Sequence, residues 1–231
     1  MNFNDFERGA DPYMSETTAE GGSVLDGIRG EFTTQTWVLI PIGVAISVVA
    51  AFFVNALRLP IYLDALGTLL IAVLVGPWAA ALTGLFVNLV EGVLVNPTFI
   101  PYTPLQVAFG LAAGYMANRG WFRTYGRIVG VGLVVAFLSI ALGAPITVTV
   151  FGGVTGTGSD AVTGFFLATG SELWGAVIGQ TIVVEPVDKV ITAVLAALIA
   201  KRVPERYRPS TAAPVLDKAG RLSERFRSLR G

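Results

Sequence analysis

The stretch from Ile61 to Val95, IYLDALGTLLIAVLVGPWAAALTGLFVNLVEGVLV, decides the fold. Its only charges are Asp64 and Glu91, and its only interruption is Gly76-Pro77. About 20 helical residues cross a hydrocarbon core roughly 30 Å thick, so these 35 residues are too many for one crossing. Proline suits the first position of a helix. The reading is therefore two crossings, residues 61–76 and 77–95, joined by a very tight turn.

The same texture extends in both directions. From Trp37 to Asn118 the one further charge is Arg58. Trp37 to Leu57 predicts a first span, with Trp37 as an interface anchor and Arg58 closing the far end. Asn96 to Pro104 holds three prolines and reads as a stiff loop. A fourth helix follows over Leu105–Asn118, then a basic loop with Arg119, Arg123 and Arg127, and a fifth helix over Ile128–Val150. Residues 151–170 are rich in glycine and threonine; Ser159–Ala168 reads as a short helix, and Ser171–Val183 as a further helical piece. The last span is Val184–Val203, with Pro186 in its first turn.

Composition agrees with a lipid environment. The chain is 53% hydrophobic and 14% charged, with a mean hydropathy of +0.67, against about 25% charged residues in soluble domains. Only helices or closed barrels satisfy the backbone inside a bilayer, so the expected fold is an all-α membrane protein, a bundle of about six transmembrane helices. Residues 1–35 carry seven acids and two arginines and read as a disordered acidic tail without the pattern of a signal peptide. Residues 36–205 form the transmembrane domain. Residues 206–231 read as a basic amphipathic tail, with Val215, Ala219, Leu222, Phe226 and Leu229 on one stripe. Lys and Arg counts in the loops place both termini in the cytoplasm of a cell whose plasma membrane the chain crosses.

The absence of cysteine and histidine removes disulfides, thiolate chemistry, Ser-His-Asp catalysis and most zinc sites. No catalytic residue, metal site or cofactor is expected, and no nucleic-acid partner. The glycine-rich 152–159 segment lacks the lysine and the preceding strand of a nucleotide loop.

A charge in the bilayer costs roughly 2.5–3.5 kcal/mol on insertion scales and usually faces an internal cavity. Asp64, Asn88, Glu91, Asn96, Gln106, Glu172 and Lys189 are the expected substrate-binding residues. Asn88 and Glu91 share one helix face, with no basic residue nearby in sequence. Asp64 also suits a helix cap, and Glu185–Lys189, four apart with Asp188 beside them, also suit a self-neutralising pair. Gly43, Ser47 and Ala51 form a small-residue stripe that lets another helix approach, whether from a partner or from within the bundle; Gly110 and Gly114 allow the same.

Leu59-Pro60-Ile61-Tyr62-Leu63-Asp64-Ala65-Leu66-Gly67-Thr68, Gly76-Pro77-Trp78, Gly84 with Asn88, and Pro186-Val187-Asp188-Lys189 running to Lys201-Arg202-Val203-Pro204 together resemble the substrate-binding S components of energy-coupling factor (ECF) transporters, over residues 37–205. The resemblance implies six helices, cytoplasmic termini, and a micronutrient pocket near the outer face. Loops 56–62, 96–104 and 151–172 would close that pocket. It also implies assembly with a coupling transmembrane subunit and two ATPase subunits. The family's Ala-x-x-x-Ala coupling pattern fails here, since Val49 follows Ala45; Gly43, Ser47 and Ala51 are the nearest equivalent. The rival expectations are a membrane sensor or interaction protein and a stand-alone ion-coupled carrier.

Overall fold

In the computed structural model, residues 27–204, 208, 209, 212 and 213 are described, and every regular element among them is helical. The tail readings at residues 1–26 and 214–231 lie outside the described residues. Helix α1 is Thr34–Ala56, α2 Leu66–Leu74, α3 Pro77–Leu94 and α4 Thr103–Asn118. Helix α5, Tyr125–Leu138, runs through a π-helical turn, Ser139–Gly143, into α6, Ala144–Phe151. Helix α7 is Asp160–Ala168 and α8 is Leu173–Arg202.

Among the described residues, three stretches are long and apolar enough to cross a membrane: α1, α3 and the continuous α5–α6 segment of 27 residues. Apolar side chains cover the outward faces, with Val38, Ile42, Val49 and Phe52 exposed on α1, Leu133 and Phe137 on α5, and Ile182, Val183 and Val187 on α8. Charged side chains lie inside instead, with Glu91, Asp188 and Lys189 at 0–1% exposure. Apolar coat and polar interior together are the arrangement of a membrane protein.

Helix α2 is shorter than the expected 61–76. Its nine residues, about 13 Å at 1.5 Å per residue, are all buried. It forms the central post of the bundle, in contact with α1, α3, α4 and α8, so protein and not lipid covers its ends. Close approach to α1 depends on two glycines and a hydroxyl. A Cβ on Gly67 would lie 1.7 Å from the Gly43 carbonyl oxygen, and the Gly67 N–H donates to Ser47 Oγ at 2.8 Å. Thus Gly43, Ser47 and Ala51 are buried inside the bundle. Their expected role as an outward contact for a coupling subunit is corrected: the stripe is already occupied.

The Gly76-Pro77 break holds. Gly76 adopts φ 146°, and the first N–H groups of α3 are satisfied from elsewhere: Trp78 and Ala79 donate to Glu31 Oε2 at 2.9 and 3.0 Å. Burial pushes the Glu31 carboxyl up, while these two N–H bonds pull it down. Helices α3 and α4 pack closely through glycines; a Cβ on Gly110 would meet the Ala80 backbone at 2.5 Å, and one on Gly114 the Pro77 backbone at 2.3 Å.

Two expectations need correction. The stiff loop expected over Asn96–Pro104 is largely regular: Pro97–Tyr102 winds as a 3₁₀ helix, with Asn96 Oδ1 accepting from the Thr98 N–H at 3.1 Å. Residues 171–183 and 184–203 are not separate pieces but one helix of 30 residues with Pro186 in its interior. Proline removes one helical hydrogen bond, and in a packed membrane bundle that loss is tolerated.

Gly67→Ala is expected to destabilise the bundle by at least about 1–3 kcal/mol through overpacking. Gly126→Ala, with nothing within 4 Å of the added carbon, should be neutral or stabilising. Thermal unfolding of both variants in detergent checks the pair; equal unfolding temperatures would contradict the packing of α1 on α2.

Candidate functional site

Lys189 lies on the inner face of α8 with 1% exposure. An ammonium in that position needs anionic partners, and it has three: Asp188 Oδ2 at 2.7 Å, Asp64 Oδ1 at 3.0 Å and Glu185 Oε2 at 3.5 Å. Its Nζ also sits 5.2 Å from the Phe109 ring centroid and 5.4 Å from that of Tyr62, within cation–π range. The sequence alternatives are thereby resolved. Asp64 does not cap α2, which has Ala65 at that position and no side-chain cap. Glu185 and Lys189 do pair, but as part of a larger cluster.

Asp188 carries a second load. Its Oδ1 accepts the backbone N–H of Tyr62 at 3.0 Å and of Leu63 at 2.9 Å. Leu63 and Arg58, both at φ 53°, occupy the left-handed region, which non-glycine residues adopt only where the surroundings hold them. The loop between α1 and α2 is thus bent into place by a carboxylate on α8.

Two more connections meet that loop. Tyr62 Oη donates to Ser159 Oγ at 2.7 Å, and Arg58 Nη1 to the Gly156 carbonyl at 3.4 Å. Asn96 Nδ2 and Thr98 Oγ1 both donate to the Thr155 carbonyl, at 3.2 and 3.1 Å. Asp160 folds the glycine-rich segment back on itself by accepting from the N–H groups of Thr155 and Gly156 at 3.1 and 2.7 Å. Loops 57–65, 95–102 and 152–159 therefore close one end of the bundle together.

Beneath them lies a cavity of about 600 Å³ of space free of atoms, the part open to solvent included. Asp64, Asn88, Gln106 and Lys189 line it, four of the seven residues expected from sequence. The two amides are oriented by backbone carbonyls: Asn88 Nδ2 donates to Phe99 O and Gln106 Nε2 to Asp64 O, each at 3.1 Å. Glu91 lies behind this wall, one turn after Asn88 on α3, at 0% exposure. Asn96 belongs to the rim, where it faces a second crevice with Arg58 and Gly156. Glu172 is exposed at the start of α8 and is not at the cavity; it is removed from the site.

Tyr62, Tyr102, Phe109, Thr147, Gln180 and Glu185 also line the cavity and are not among the residues expected to bind substrate. For α8 the signal is present in the sequence: Thr181, Glu185, Asp188, Lys189 and Thr192 are all buried and recur at helical spacing. Reading 171–183 apart from 184–203 hides it. Tyr62 and Tyr102 carry no such signal, because loop closure brings them in, whereas Phe109 sits three residues after Gln106 on α4.

Comparison with protein-family models, with curated proteins and with solved structures finds no match to this chain.

Lys189→Met is expected to cost about 3–5 kcal/mol, the range for breaking a buried ion pair from one side. Adding Asp64→Asn should restore part of that loss. A double-mutant cycle on thermal or denaturant unfolding in detergent measures the coupling; strictly additive effects would refute the 3.0 Å contact.

Proposed function

We propose that this chain is the substrate-binding membrane subunit of an ECF-type importer, taking up a vitamin or related micronutrient with ATP hydrolysed on partner subunits. The observation that carries the reading is the closure of three loops, 57–65, 95–102 and 152–159, over a cavity that sets a few polar and charged groups among apolar walls, at one end of an apolar-coated helical bundle. A partly enclosed cavity with a few donors and acceptors in a mostly apolar lining suits a small solute. The sequence holds no element that reads as a nucleotide site, so the energy for transport falls to other subunits.

In this reading the six crossings are α1, α2 with its flanking residues, α3, α4, α5–α6 and α8. Arg119, Arg123, Lys201 and Arg202 lie at the helix ends opposite the cavity. That concentration of basic residues favours the cytoplasm for that end and the outside for the cavity. With Gly43, Ser47 and Ala51 committed to internal packing, the coupling contact passes to the outward stripe of α1, where Pro41, Ala45 and Val49 are exposed at spacings of four.

The test is reconstitution. Vesicles holding this chain together with the coupling subunit and ATPases of its own cell should accumulate the small molecule that co-purifies with it, and only with ATP. Accumulation by this chain alone under an ion gradient would overturn the reading in favour of a stand-alone carrier. Ala45→Trp is expected to abolish ATP-driven uptake while the purified protein still retains its small molecule, as measured by mass spectrometry. Asn88→Ala should lower that retention at least tenfold with subunit assembly intact.

A further inference from the structure

The hydrogen-bonding groups around the cavity are unequally supplied. Asn88 and Gln106, 2% and 1% exposed, each donate one N–H to a backbone carbonyl, while Asn88 Oδ1 and Gln106 Oε1 have no donor. Both oxygens of Glu91 lack a partner, and Glu185 Oε2 sits at ion-pair distance from Lys189 with no hydrogen bond formed. Against these five acceptors, the one buried amide nitrogen with no partner among the described residues is Gln180 Nε2. Buried acceptors left unsatisfied are costly, and a ligand in this cavity can bring donors to those at its wall, on Asn88, Gln106 and Glu185.

Charge gives the same answer independently. Asp64, Glu91, Glu185 and Asp188 are four carboxylates, and Lys189 is the single ammonium among them. The interior has a formal negative excess, which an added cation offsets. A metal ion is a poor candidate. The position among the carboxylates is filled by Lys189 Nζ, and among the described residues no acidic group is arranged to hold a metal. The remaining walls include Tyr62, Tyr102 and Phe109, whose ring faces attract cations.

We infer that the cavity takes a flat organic cation with several N–H donors, of the amidinium or protonated aminoheterocycle class. Asn88 Oδ1 and Gln106 Oε1 accept from it, and Glu91 behind them supplies the counter-charge. The inference rests on the substrate-binding reading above and narrows it to one ligand chemistry.

Three near-isosteric probes test it on the full chain in detergent: benzamidinium, benzamide and benzoate, with sodium chloride at matched ionic strength as a fourth arm. Titration calorimetry is expected to give benzamidinium at least a tenfold preference over benzamide and no binding of benzoate. Glu91→Gln should lower benzamidinium affinity at least tenfold while raising the unfolding temperature of the ligand-free protein, since a buried unpaired carboxylate is removed. Gln106→Leu serves as a second variant and should weaken benzamidinium in the same direction. Binding of benzoate, equal binding of cation and neutral amide, sodium acting alone, or no response to any probe would each overturn the inference. The two proposals fail separately. Cation preference without ATP-driven uptake leaves the ligand chemistry standing and removes the importer. ATP-driven uptake of a molecule that is anionic, or lacks N–H groups, does the reverse.

Discussion

The ammonium of Lys189 and the carboxylates around it are the interaction on which the rest of this structure depends. Lipid cannot solvate a charge, so an ionised group in an apolar-coated bundle is costly unless it finds a partner in the interior. Here the solution joins remote parts of the chain. Asp64 comes from the loop before α2, Glu185 and Asp188 from α8, and Asp188 also holds the backbone of residues 62 and 63. One cluster therefore fixes the rotation of α8, the start of α2 and the shape of the loop that closes the cavity. The cavity inherits its chemistry from the same cluster, and its charged lining is accordingly concentrated at α8 and at the loop that leads into α2.

Close packing is the complementary constraint. Between membrane helices, apolar surface gives little driving force, so contact area and small residues matter more. Gly43 against Gly67, Gly84 against Gln106 and Gly110 against Ala80 bring α1 to α4 within backbone contact. The consequence is a close-packed set of helices around α2, on which Asn88 and Gln106 are held with their amides bonded to backbone carbonyls. The other half is less regular. Helix α5 passes through a π-helical turn just before Pro145, as expected where a missing N–H disturbs the ladder, and that turn places Ser139 and Gly143 at the cavity wall.

Much of this is legible in the sequence, for definable reasons. Hydropathy and the Gly76-Pro77 break mark the helices and most of their ends, because apolar runs and proline act locally. Rare polar residues in apolar runs point to Asp64, Asn88, Gln106 and Lys189, because burying such groups in lipid costs more than a helix tolerates without a partner or a cavity. What sequence misses is whatever depends on contacts between remote segments. Glu172 is as acidic as Glu91, but its helix begins at the surface. The Gly43-Ser47-Ala51 stripe is a correct sign of close approach, yet spacing alone does not say which helix arrives. Local rules treat proline as a boundary and so start a helix near Pro186, whereas packing around α8 carries the helix through it.

The pairing of Asp64 with Lys189 spans 125 residues, and this bears on biosynthesis. At roughly 5–20 residues per second, the ribosome delivers α2 and its carboxylate several seconds before their counter-ion exists. Helix α2, at nine residues, is too short to settle across a bilayer unaided. Glu185 and Asp188, by contrast, lie within four residues of Lys189 and pair with it along α8 itself. The contacts of the central post are therefore complete only when the last helix docks, and a chain truncated before α8 leaves the Asp64 carboxylate without its ammonium partner.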